Sequence, residues 1–240
     1  MFALAGLSID IEGPRAQALL PFERPGRGEL LLRMCSCEEF SSEPLRVERC
    51  GDDYACAGDG LNGRVGAEEA ELCAWGGEGA LLSALRLACA LWLLPRGGLL
   101  LHGACVERDG FAHVFVGESG AGKTTLSRAL AGPSTRVISD EVSCVKEGRV
   151  FGHPFPRRLG DGSAPDAGLP LRALSAISHG AAPRRAPLSG AAAARALLRR
   201  VFLPAKDAAS LALAVDSAAR LRLDALELPL DGRAAQAALP

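Results

Sequence analysis

The sequence predicts an α/β fold in which a small strand-rich region, residues 1–78, precedes a larger part, residues 79–240, built around one glycine-rich loop. Three observations carry this. Short apolar runs separated by Gly, Pro and acidic turns fill the first 78 residues. The stretch GESGAGKTT, Gly117 to Thr125, lies between an apolar run that reads as a strand and a segment that reads as a helix. The chain has 240 residues, enough for one large domain or for a catalytic domain with a smaller companion.

The elements follow in order. LSIDI, ELLLRM, LRVERC, GDDYACAGDG and LNGRVG read as short strands and turns with no nucleotide motif among them. The apolar stretch from about 80 to 94 reads as a helix, stopped by Pro95 and the glycines of PRGG. GLLLHGACVER and FAHVFV, joined by Asp109-Gly110, read as an antiparallel hairpin. This is unusual, because a parallel strand commonly supplies such a loop in doubly wound nucleotide-binding folds. KTTLSRALA continues as a helix, STRVISDE as a strand ending in two carboxylates, and VSCVKEGRVFG as a hairpin turning at Glu147-Gly148. From about 160 to 194 the Ala, Gly, Pro and Arg content predicts long loops around one apolar segment, LRALSAI. Helical patterns at about 191–203 and 207–219 precede a final strand, LRLDALELPL.

The loop fits G-x-x-x-x-G-K-[ST], a pattern whose backbone N–H groups turn inward around phosphate oxygens at the start of a helix. Gly117, Glu118, Ser119, Gly120, Ala121, Gly122, Lys123, Thr124 and Thr125 are the candidate phosphate-binding residues. Lys123 would reach the terminal phosphates and the Thr124 hydroxyl would ligate Mg²⁺. Asp140 and Glu141 are the carboxylates that one helix and one strand would return to the loop. One would coordinate Mg²⁺ and the other accept a hydroxyl proton, and spacing does not assign them. His102, at the end of an apolar run, is the remaining candidate; His113, His153 and His179 rank below it.

Composition excludes other classes. A formal net charge of −1 and isolated pairs such as Arg157-Arg158, Arg184-Arg185 and Arg199-Arg200 give no nucleic-acid surface. The amino terminus has no basic leader, and ALLSALRLACALWLL is too short for a bilayer and carries Arg86, so no membrane partner and a cytoplasmic location are expected. Eight cysteines without an export signal read as reduced, partly buried thiols; Cys35, Cys37, Cys50 and Cys56 lack the paired C-x₂-C spacing of structural zinc sites.

LLHGA, V-x-x-x-G, GESGAGKTTL, SDE and PFP in this order resemble the catalytic domain of HPr kinase/phosphorylase and its relatives, whose fold is shared with ATP-dependent phosphoenolpyruvate carboxykinase. More narrowly, they resemble the HPr-kinase-related proteins of peptide-modification clusters, including lasso-peptide kinases. The resemblance covers about residues 98–156. It implies a phosphoenolpyruvate-carboxykinase-like P-loop core and transfer of the ATP γ-phosphoryl group, with Mg²⁺, to a serine of a protein or peptide. In it Asp140 is the base, His102 lies near the transferring phosphate, and Glu141 stands where HPr kinase has a second aspartate. Hexamers are known among the HPr kinases, which leaves room for a homo-oligomer. The glycine-rich motif tied to reverse phosphorolysis has no counterpart in GDGSAPDAGLP, so the forward reaction alone is expected. The competing readings are a nucleotide-binding module without efficient transfer and a kinase for a small hydroxyl metabolite.

Overall fold

The computed structural model describes residues 1–36, 41–229 and 235–240. The protein is mixed α/β and rich in strands, arranged as two sheets with one helix held between them.

The first sheet has seven strands: β1 (Phe2–Leu4), β2 (Leu7–Glu12), β3 (Leu30–Ser36), β4 (Arg46–Cys50), β5 (Asp53–Gly58), β6 (Leu61–Val65) and β7 (Glu69–Ala74). They lie in the order β1-β2-β3-β7-β6-β5-β4, with β3 parallel to both β2 and β7. Alternation in β2, β3 and β7 turns Leu7, Ile9, Ile11, Leu30, Leu32, Ala70 and Leu72 into one core.

Helix α1 (Glu78–Leu93) covers that face and continues as a 3₁₀ turn to Arg96. The segment Glu78–Arg96 is 19 residues long and apolar enough by length and composition to cross a bilayer, which corrects the expectation, drawn from the shorter apolar stretch, that it is too short. It is mostly buried between the two sheets, where Leu85, Leu87, Cys89 and Trp92 share one core with Leu100, Val142, Cys144 and Phe155. The Trp92 indole N–H donates to the carbonyl of Gly66 at 2.8 Å, so the largest buried side chain keeps its polar atom satisfied.

The second sheet contains β8 (Gly98–Arg108), β9 (Phe111–Val116), β10 (Thr135–Ser139), β11 (Val142–Lys146), β12 (Arg149–Phe151), β13 (Leu169–His179), β14 (Arg184–Leu188) and β15 (Leu223–Leu228). The hairpins expected at Asp109-Gly110 and Glu147-Gly148 are present, with positive φ at all four residues. Helix α2 (Lys123–Leu130) packs on one face; α3 (Gly190–Leu198) and α4 (Ala208–Ala219) pack on the other.

Three further expectations are corrected. Residues 160–194 are not chiefly loop: β13 is an 11-residue strand, parallel to both β9 and β15, and β14 pairs antiparallel with β15. The strand that supplies the loop therefore has a parallel neighbour as well as its hairpin partner, from a segment whose proline and arginine content hid it. Helix α3 ends at Leu198 rather than near 203, because Arg200 to Phe202 pair with β8. Lastly, Cys35 and Cys73 form a disulfide, as register partners on adjacent parallel strands. Cys50, Cys56, Cys89, Cys105 and Cys144 are free thiols, and Cys37 lies outside the described residues.

Candidate active site

The site forms where β8 changes partners on both edges. On one edge Gly103–Arg108 pair with β9, but the His102 N–H donates to the carbonyl of Arg200 at 2.6 Å and Phe202 N–H to that of Leu100 at 2.7 Å. On the other edge β10 ends at Ser139 and β11 begins at Val142, opposite His102. Asp140 and Glu141 occupy the break. The Ser139 hydroxyl accepts from the Glu141 and Val142 N–H groups at 3.3 and 3.2 Å, and Gly103 N–H donates to the Glu141 carbonyl at 3.1 Å. Alternation turns His102 to the face that carries α1 over Leu100 and α2 over Ala104, so its side chain stands between the two helices.

The loop leaves β9 at Gly117 and enters α2 at Gly122. A Cβ at Gly117 would lie 2.9 Å from the carbonyl oxygen of Ile177, and Gly122 has φ +94, so neither position suits a larger residue. Lys123 Nζ donates to the carbonyls of Gly117 and Glu118 at 3.0 and 3.2 Å. His179, at the end of β13, lies with Nε2 3.0 Å from the Gly120 carbonyl, and Glu118 is ion-paired with Arg200.

Asp140 is 1% exposed and its carboxylate is fully engaged. Oδ1 accepts from the N–H groups of Arg158 and Leu159, both at 2.9 Å, and Oδ2 accepts from the Thr124 hydroxyl at 2.9 Å. Burial would raise its pKa, but those donors outweigh burial and hold the carboxyl below its usual value. Glu141 is half-open and turns the other way, with Oε1 3.3 Å from His102 Nδ1. Burial first, then the Lys123 and Arg200 charges, lower the His102 pKa against the pull of Glu141, favouring neutral imidazole. Burial and Arg200 likewise lower that of Lys123, which Glu141 and Glu118 oppose.

A cavity of about 100 Å³ opens beside the loop. Thr125, Leu126, Ile177, Ser178, His179 and Leu228 contribute to its lining, at the carboxyl ends of the parallel strands β13 and β15. Clefts outside the carboxyl ends of parallel strands are favoured ligand sites in α/β sheets.

The loop residues, His102, Asp140 and Glu141 thus gather at one end of β9 and β10, with Lys123, Thr124 and Asp140 in one cluster and His102 with Glu141 beside it. Of the lower-ranked histidines, His113 is buried within β9, and His153 is buried against the carbonyl of Val142, next to the strand break. The sequence reading missed Arg200, which acts electrostatically on both His102 and Lys123, and ranked His179 low. Neither has a local signal, since only tertiary pairing brings residues 179 and 200 to the loop. Asp140 and Glu141, with Thr124, supply oxygen donors suited to Mg²⁺. The Thr124 and Asp140 oxygens, at 2.9 Å, are close enough to ligate one ion.

The family model described as SynChlorMet cassette protein ScmC matches residues 80–221, more than half of the chain and the part that holds this site. No curated protein matches the chain.

Proposed function

We propose that this chain, which belongs to the ScmC family of SynChlorMet cassette proteins, is an ATP-dependent kinase that transfers the γ-phosphoryl group to a serine hydroxyl of a protein or peptide. The observation that carries the reading is the convergence of Lys123, folded into its own loop, with Thr124 hydrogen-bonded to Asp140. A loop of inward N–H groups, a lysine, a metal-ligating hydroxyl and a carboxylate at a neighbouring strand end are the parts phosphoryl transfer needs. The resemblance to HPr kinase and its P-loop core supports the same reading, and Leu126, Ile177 and Leu228 give the cavity beside the loop apolar surface on which a nucleobase would pack.

The loop N–H groups and Lys123 would hold the β- and γ-phosphates, with Arg200 adding positive charge. Thr124 and Asp140 would hold Mg²⁺, which supplies charge neutralisation across those phosphates. Glu141, open to solvent and braced by His102, would accept the proton as the acceptor oxygen bonds to the γ-phosphorus and the bond to ADP breaks. This division differs from the one the resemblance implies, in which Asp140 is the base. It is favoured because Asp140 is buried with both oxygens engaged and its pKa held low, which suits a ligand better than a proton acceptor.

The test is incubation of the purified protein with γ-labelled ATP, Mg²⁺ and the peptide or protein encoded beside its gene, followed by mass spectrometry of each component. Phosphate on a serine of that partner is the expected result. ATP binding with no phosphorylated partner would overturn the kinase reading.

A further inference from the structure

Arg86 lies in the middle of α1, in the apolar run that follows Ser83. Its Nε is buried without a hydrogen-bond partner, and its guanidinium carbon stands 4.9 Å from the centre of the Phe202 ring. A partly desolvated cation with an unsatisfied donor is costly, and an apolar side chain of similar length would remove the cost. Burial lowers the Arg86 pKa, and the Glu141 charge opposes it. His102 stands between α2 and α1, and Arg86 reaches from α1 to Phe202, whose N–H bonds Leu100 two residues before His102 on the same face of β8. Arg86 therefore lies on the side of His102 away from the loop. Phe202 is fixed beneath Arg86 by its N–H bond to Leu100, in the short segment that carries Arg200.

We propose that Arg86, seated on Phe202 in the segment that carries Arg200, is a second oxyanion seat on the acceptor side of the site, and that it takes the phosphomonoester formed by transfer. The inference rests on the kinase reading above. Stacking uses the face of the guanidinium and leaves its in-plane N–H groups for a tetrahedral oxyanion, which they match in a bidentate way. In the transfer itself the acceptor oxygen gains phosphorus, ADP leaves with the electrons of the broken P–O bond, and the hydroxyl proton goes to Glu141. Arg86 changes no bonds; it donates hydrogen bonds to the phosphate oxygens of the product.

The experiment is calorimetric titration of O-phospho-L-serine into the protein saturated with Mg·ADP, so that the loop is already filled. Wild type binds the probe, Arg86→Gln weakens it by about tenfold or more, and Arg86→Lys lies between, consistent with loss of one charge-assisted contact. Mg·ADP affinity stays unchanged in both variants. Arg86→Met guards against misfolding: it should melt at a higher temperature than wild type and still fail to bind the probe. Absence of binding to wild type, or equal binding by the Gln and Met variants, overturns the seat. The two readings fail separately. A protein that phosphorylates its partner while its Arg86 variants bind the probe normally loses the seat and keeps the kinase. Arg86-dependent binding of the probe, measured without nucleotide in a protein that binds neither ATP nor ADP, does the reverse.

Discussion

The Thr124 hydroxyl donates to Asp140 Oδ2 at 2.9 Å, joining the first turn of α2 to the end of β10. Asp140 is thereby tied to the loop, whereas Glu141, the next residue, is tied to His102. Adjacent carboxylates in one strand break point to different partners, so their roles can be separated by mutation. Glu141→Gln should lower the rate of transfer by about 10²- to 10⁴-fold with Mg·ATP affinity retained, whereas Asp140→Asn should weaken the Mg²⁺ dependence of ATP binding. Equilibrium binding with and without Mg²⁺, alongside single-turnover transfer, checks this. The opposite pattern would return the base to Asp140.

Lys123 donates to two loop carbonyls and is 8% exposed. Replacing Lys123 with alanine removes the charge that phosphates would meet, and ATP affinity should fall by roughly 10- to 100-fold, the worth of one or two charge-assisted hydrogen bonds. Unchanged affinity by calorimetry would contradict the cradle.

His153 is fully buried and neutral: Nε2–H donates to the Val142 carbonyl at 2.9 Å and Nδ1 accepts from Phe155 N–H at 3.2 Å. Burial pushes its pKa down to about 4. The unfolded chain takes up this proton near the ordinary histidine value of about 6.5, before the folded one does. Stability from this group is therefore full above about pH 6.5 and is lost as pH falls towards 4, by about 3 kcal/mol in all. Urea midpoints measured from pH 8 to 4 should show the fall, and His153→Gln should flatten it.

Gly160 sits at φ +85, and a Cβ there would lie 2.3 Å from the carbonyl oxygen of Ile138. It follows Arg158 and Leu159, whose N–H groups hold Asp140. Gly160→Ala should cost roughly 1–3 kcal/mol and disturb Asp140 without touching it. Denaturant unfolding gives the first effect, and reduced Mg·ATP affinity gives the second.

The Cys35–Cys73 disulfide closes a separation of 38 residues in the first sheet. Under the chain-entropy account its reduction should lower stability by about 4 kcal/mol. It lies in the sheet that does not carry the loop, so ATP affinity should be unaffected. Intact-protein mass spectrometry with and without reductant reads the bond, and thermal unfolding reads the loss.

Much of this was legible because its signals are local. Gly117 to Thr125, the turns Asp109-Gly110 and Glu147-Gly148, and the carboxylates at 140 and 141 each act within a few residues of chain, where turn chemistry and periodicity decide structure. The α/β class follows from their order. Tertiary structure alone decided that β13 lies beside β9, that Arg200 to Phe202 leave a helical pattern to pair with β8, and that Cys35 meets Cys73. It also decided that Arg86, an isolated charge in an apolar run, sits on the Phe202 ring. The physical reason is the same in each case. Hydrogen bonding across a sheet and burial against a distant segment outweigh local propensity, and neither partner announces the other along the chain.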